Sequence, residues 1–182
     1  MKSNDPAAAP KSASRRQPTA AAHRHPTLDW LAVRYPLLFG EAPRPLKRGI
    51  FEDLLAAHPG DLEPGALKEA LARHTRSTRY LAAVAEGQKR RGLDGQPVEA
   101  PTPEQVHHAL VEVFRRRAAR APQDLRPRLR ERIARAFEAS GLDALTYAAR
   151  VSGRDEGINS LTREALEEVT ARSARHQAWR RA

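Results

Sequence analysis

Pro45-Leu46-Lys47-Arg48-Gly49-Ile50-Phe51-Glu52-Asp53-Leu54 is the stretch that organises the rest of the chain. Ile50, Leu54 and Leu55 recur at helical spacing with Phe51 beside them, which predicts a helix from about Leu46 with one face in a core. Lys47 and Arg48 then fall in its first turn, where cations oppose the helix dipole, so a role outside helix stability is expected for them. Asp53 reads as a capping or pairing acid. Two companion blocks follow, Thr75-Arg76-Ser77-Thr78-Arg79-Tyr80-Leu81 and Lys89-Arg90-Arg91-Gly92-Leu93-Asp94-Gly95-Gln96-Pro97. Each mixes cations with a few apolar or turn residues. None holds the paired acids, metal ligands or nucleophile–base sets that catalysis requires, so the three blocks read as a cationic binding surface.

Composition points the same way. Thirty-two Lys and Arg stand against 22 Asp and Glu in 182 residues, a net charge of +10 and a pI near 10.9. That excess favours nucleic acid or an anionic membrane surface as partner and says nothing about fold. With no cysteine, disulfides, thiolate zinc sites and thiol nucleophiles are excluded, and a reducing cytoplasm fits. No apolar run approaches the roughly 20 residues that span a bilayer, and no apolar segment follows Lys2 as a secretory signal would require. The expectation is a cytoplasmic protein without membrane contact.

Residues 1–25 are Ala, Pro, Ser and basic residues without an apolar period, and are expected to be a disordered basic tail, either inert or a loose arm on RNA. Thr27 is expected to cap a short helix carrying Leu28, Trp30, Leu31 and Tyr35 that stops before Pro36. After a loop at 58–61, Pro64 opens a helix with Leu67, Ala70, Leu71 and His74 on one face. The next helix is placed at Thr75 to Ser77, carrying Tyr80, Leu81 and Val84 inward. Asp94-Gly95 predicts a short β-hairpin within 88–99. Thr102-Pro103-Glu104-Gln105 is a helix start with a capping box, followed by Val106, Leu110, Val113 and Phe114 and closed by Arg115-Arg116-Arg117.

Beyond Pro122 the chain reads as helical. Leu125, Leu129, Ile133 and Phe137 recur every fourth residue and Gly141 suits a helix end. A short helix is placed at 142–151, a loop at 152–154, and a last helix from about Leu161 through Leu166 and Val169 to Trp179-Arg180-Arg181. The Leu125–Phe137 stripe needs burial against the rest of the chain or a second copy.

The three blocks together resemble the ProQ/FinO domain of bacterial RNA-binding proteins and RNA chaperones. The resemblance covers roughly 27–120. It rests on Pro-Leu-Lys47-x-Gly-Ile-Phe-x-Asp-Leu, then Leu67-x-x-Ala70-Leu71 leading to Thr75-x-Ser77-x-Arg79-Tyr80-Leu81, then Arg90-x-x-Leu93-Asp94-Gly95-x-Pro97. It implies a mainly α fold with a small β-hairpin and a basic concave face that holds structured RNA, notably terminator hairpins with single-stranded 3′ tails. The family's functional positions fall on Lys47, Lys68, Arg79, Tyr80 and Arg90. This chain departs at Thr78, where members often carry an aromatic, at His74, where they carry tyrosine, and at Arg91-Gly92, where an acid is often found. Residues after Pro122 lie outside the resemblance.

The residue types suit such a ligand. Lys and Arg neutralise phosphates and release counterions, and a guanidinium grips phosphate with two parallel bonds that lysine cannot copy. Amides and hydroxyls near Thr75–Ser77 would make an anion cradle. Tyr80 is read as a base or phosphate contact, or simply as a core aromatic; Arg115–Arg117 as a solvated helix face with some phosphate attraction. His107 and His108 point about 100° apart on a helix and are a poor metal pair.

The expectation is thus a non-enzymatic RNA chaperone without cofactor. It comprises a basic tail (1–25), an RNA-binding domain (26–120) and a helical C-terminal extension (121–182). Its RNA-binding residues would be Lys47, Arg48, Lys68, Thr75, Arg76, Ser77, Arg79, Tyr80, Lys89, Arg90 and Arg91. The alternatives are a helical interaction or dimerisation module that self-associates through residues 122–182, and a basic DNA-binding regulator.

Overall fold

The computed structural model describes residues 25–181, which form nine helices: α1 (Pro26–Arg34), α2 (Pro36–Phe39), α3 (Ile50–Ala57), α4 (Pro64–Thr75), α5 (Thr78–Ala85), α6 (Pro103–Ala118), α7 (Arg126–Ser140), α8 (Ala144–Val151) and α9 (Glu156–Arg181). The basic tail expected at residues 1–25 lies almost wholly outside the described residues.

Helix boundaries follow local chemistry. Proline opens α1, α2, α4 and α6, where its missing N–H costs nothing. Ser77 caps α5 by accepting from the Tyr80 amide, and Asp143 caps α8 through the Thr146 amide. The box at α6 forms reciprocally, Thr102 taking the Gln105 amide and the Gln105 side chain taking the Thr102 amide. Gly141 ends α7 in the left-handed region, φ +67°.

One apolar cluster runs through the molecule. Leu31, Leu38, Leu54, Leu67 and Tyr80 of the first five helices join Leu110 of α6, Leu129, Ile133 and Phe137 of α7, Tyr147 of α8 and Leu166 and Val169 of α9. α6 is its axis, packed on α5 along one side and on α7 and α8 along others. Each fully buried Leu or Ile in it contributes about 1.5–3 kcal/mol relative to exposure. The α7 stripe is therefore satisfied within the chain.

Ion pairs give the direction of the last helices. Arg130 of α7 faces Glu164 and Glu168 of α9, and Arg172 further along α9 reaches Glu138 further along α7. The two helices run parallel, with α8 as the return.

The structure corrects several expectations. The β-hairpin is absent as a pair of strands. Its turn exists, with the Gly95 amide on the Gly92 carbonyl, and Arg90 and Val98–Glu99 exchange backbone bonds. Only isolated bridges form, Arg91 with Leu46 and with Pro97, because Pro97 has no N–H and Arg91 spends its own amide and carbonyl on Pro45 and Lys47. Thr27 does not cap α1; His25 stands at that position without a side-chain bond. α3 begins at Ile50 rather than Leu46, since Gly49 turns the chain at φ +79°. Lys47 and Arg48 thus precede the helix and do not oppose its dipole. Thr75 ends α4 instead of starting α5, and α9 starts five residues before Leu161, at Glu156.

Candidate nucleic-acid interface

The three sequence blocks meet at one crossing. The Lys47 amide donates to the Arg91 carbonyl at 2.9 Å and the Arg91 amide to the Pro45 carbonyl at 2.8 Å. The Leu46 amide donates to the Tyr80 hydroxyl at 3.1 Å, and an Arg90 terminal nitrogen donates to the Leu46 carbonyl at 2.9 Å. Leu46 is held by its amide and its carbonyl, one from each companion block.

This geometry divides the candidate residues by what their polar groups already hold. Tyr80 is buried, edge-on to His74 with ring centroids 5.3 Å apart. Burial also holds the His74 imidazole below the usual histidine value, opposed by its bond to the Leu38 carbonyl. The Arg90 side chain is only 14% exposed. Its second terminal nitrogen donates to the Gln105 side chain at 3.0 Å, which itself closes the α6 capping box. Glu99 lies 3.7 Å from its Nε and 3.4 Å from that of Arg48. Arg90 thus clamps the 45–47 segment to the start of α6. Arg91 donates to the Gly95 carbonyl at 2.7 Å and fixes the turn. Lys47 donates to Asp53 at 2.8 Å, and that bond, with the carboxylate charge, raises the ammonium above the ordinary lysine value.

The α4–α5 junction is different. The Thr75 hydroxyl donates to the Leu71 carbonyl at 2.9 Å and the Ser77 hydroxyl accepts from the Tyr80 amide at 3.2 Å, so both hydroxyls already serve the helices. Arg116, at the far end of α6, donates to the Arg76 carbonyl at 2.7 Å and to the Thr78 hydroxyl at 3.1 Å. Arg116 thereby pins the start of α5. The sequence offered only the Arg115–Arg117 run as a sign of this residue. Lys68 lies seven residues, two turns, before Thr75 on the same side of α4.

Among the described residues, the exposed side chains of Lys68, Arg76, Arg79 and Lys89 make no ion pair and no hydrogen bond. Arg79 borders a shallow groove with Arg44 and Gln88, which bond each other at 2.7 Å, and with Glu41 and Glu86. These four cations are available to a ligand without breaking a contact.

The same described residues hold no cluster of three or more His, Asp or Glu able to ligate a metal. His107 is buried on Thr162 at 3.0 Å, and Thr162 gives its own proton to the Ile158 carbonyl, so His107 is the donor. Burial and the neighbouring His108 lower its pKa to about 4.

A model of the ProQ/FINO family matches residues 21–126, more than half of the chain. The chain belongs to the ProQ/FINO family. Relatives include an RNA chaperone ProQ of Idiomarina loihiensis, 44% identical over 85 residues, covering 44% of this chain and 40% of that protein. Another, from Aeromonas salmonicida, is 41% identical over 85 residues with the same coverage. The matched part spans only 40% of the length of these ProQ proteins. Solved structures that align include a FinO-like RNA chaperone from Neisseria meningitidis, 34% identical, covering 46% of this chain and 85% of that one at a TM-score of 0.42. A ProQ homolog from Legionella pneumophila is 27% identical and covers 68% and 99% at 0.43. The crossing of the three blocks and the α4–α5 junction both lie inside the ProQ/FINO match, whereas α8 and α9 lie beyond it.

Proposed function

We propose that this protein is a non-enzymatic RNA chaperone that holds structured RNA, such as a terminator hairpin with a single-stranded 3′ tail, and promotes its pairing with a second RNA. The observation that carries this reading is the set of uncommitted cations, Lys68, Arg76, Arg79 and Lys89, on a family domain whose other motif residues build the frame. RNA phosphates supply the charge those side chains lack, and counterion release supplies affinity. Family membership and the relatives named RNA chaperone ProQ support the ligand class. Lys47, Arg48, Arg90, Arg91, Thr75, Ser77 and Tyr80 act in it chiefly by holding the surface in shape.

The unit that binds RNA is placed at residues 26–120, with 121–182 as an extension docked on α6. The cytoplasm is the compartment proposed, in keeping with a chain free of cysteine and without, among the described residues, a helix long and apolar enough to cross a membrane. Self-association through 122–182 is the second reading. The burial of Leu129, Ile133 and Phe137 inside the chain removes the apolar stripe that motivated it. Competition between a 3′-tailed hairpin and duplex DNA tests the ligand class. Preference for the hairpin supports the proposal; equal binding contradicts it.

A further inference from the structure

The last third of α9 leaves the body of the protein. Val169 is its final buried residue, and every described residue from Thr170 to Arg181 is exposed. Arg172 is still tied to Glu138. From Ser173 to Arg181 no side chain makes a hydrogen bond or ion pair within the described residues. Nine residues of helix rise about 14 Å, so the segment projects well past the end of α7. It does so at the end of the bundle where Ala139 and Ser140 of α7 border a groove with Gly87, Pro101 and Pro103.

The composition of that projection is one-sided. Residues 170–181 hold Arg172, Arg175, Arg180 and Arg181 and no acid, although α9 up to Glu168 is rich in glutamate. Trp179 is 77% exposed, and the His176 ring lies 6.4 Å from it one turn earlier. Trp is a costly side chain to leave in water, and nothing in the helix packs on it apart from that neighbour. The other apolar residues here are Ala171, Ala174 and Ala178, too small for the seam that a second helix or another copy would need. Cations at a helix C-terminus do favour the dipole, which explains Arg180 and Arg181 but neither Arg175 nor an exposed indole.

We infer that the projecting end of α9 is a second nucleic-acid contact, in which Trp179 and His176 stack on bases of a single-stranded RNA segment while Arg175, Arg180 and Arg181 hold its phosphates. Arginines around an exposed aromatic are what a single strand requires, since every base offers a face to stack and every linkage a charge. The inference rests on the RNA-binding reading above and extends it: the domain holds the folded part of an RNA and the α9 tip holds an unpaired part.

Trp179 reports on this directly, because the only other tryptophan is Trp30. In the full chain carrying Trp30→Phe, emission of Trp179 is followed during titration with an oligouridylate and, separately, with inorganic polyphosphate. Binding of a 3′-tailed hairpin is measured in parallel by gel retardation for Trp179→Ala, Trp179→Phe and Arg175→Gln. The oligouridylate should quench Trp179 whereas polyphosphate, which has no bases, leaves its emission nearly unchanged. Trp179→Ala should weaken binding of the tailed hairpin about tenfold, with Trp179→Phe restoring most of it and Arg175→Gln weakening it at low salt. RNA retained by the protein with silent Trp179 overturns the inference and leaves the domain site standing. Quenching by polyphosphate as strong as by RNA overturns the stacking. An emission shift that depends on protein concentration without RNA assigns the tip to a second copy instead. Failure of any RNA to bind removes both readings.

Discussion

At the scale of single residues, two arginines from different blocks of the sequence differ in what their guanidinium groups already hold. Arg90 is largely enclosed and spends its guanidinium on the Leu46 carbonyl and Gln105; Arg79 is exposed and spends nothing. Arg90→Lys should therefore lower stability on the order of 2 kcal/mol, by analogy with hydrogen bonds from charged donors, visible as a lower midpoint in urea. Arg79→Lys should leave that midpoint unchanged. Tyr80→Phe strips the buried Leu46 amide of its acceptor and should cost about 1–3 kcal/mol. Tyr147 is the converse case: its ring is fully buried on Phe137, but its hydroxyl has no partner among the described residues. Burial, and to a lesser degree Glu104, push that phenol up to about 12. Tyr147→Phe should be neutral or stabilising, whereas Tyr147→Ala should cost about 3–5 kcal/mol. Thermal melts distinguish the two. The sequence could not tell Arg79 from Arg90, because Arg90 is defined by partners 44 and 15 residues away.

At the scale of elements, most helices were legible where their ends are written locally. The Thr102–Gln105 box, Pro64 and Gly141 each mark a boundary by their own backbone chemistry. The missed boundaries lack such a mark or depend on a distant contact. Gly49 delays α3 through a positive φ that apolar periodicity does not reveal, and the hairpin loses its strands because Arg91 pairs with the 45–47 segment. α6 depends on α7 for part of its burial. Leu110 and Val113 are buried, and they border Leu125 and Leu129 at the α6–α7 contact. A chain cut after Arg120 should thus melt well below the full chain or self-associate, as read by calorimetry and light scattering. An unchanged melt and mass would show that α7 to α9 contribute nothing to the fold of the preceding helices.

At the scale of the whole molecule, acid should weaken the fold through its histidines. His107 has a pKa of about 4 in the folded protein against 6.5 ordinarily, and that of His74 is lowered as well. Both are more easily protonated once unfolded, so the unfolded state gains protons first as pH drops. Stability is complete above about pH 6.5 and falls as the pH is lowered towards 4, with His107 alone accounting for roughly 3 kcal/mol. Urea midpoints at pH 7 and pH 4.5 should show this fall, and His107→Gln should reduce it. Net charge acts on the ligand side: log affinity for RNA against log salt should slope by several units, and a flat plot would contradict phosphate neutralisation.

Bulk charge and a positioned surface both predict salt dependence, so the deciding measurement keeps charge constant. Affinity for a hairpin with its 3′ tail is compared between the parent chain, Arg79→Lys, and Arg128→Lys as a matched exposed arginine on α7, with melting curves verifying that each is folded. Arg79→Lys should lose about 1–3 kcal/mol of binding free energy at unchanged melting temperature while Arg128→Lys is near neutral. Equal affinities for all three would contradict a positioned surface and leave only the overall positive charge to hold the RNA.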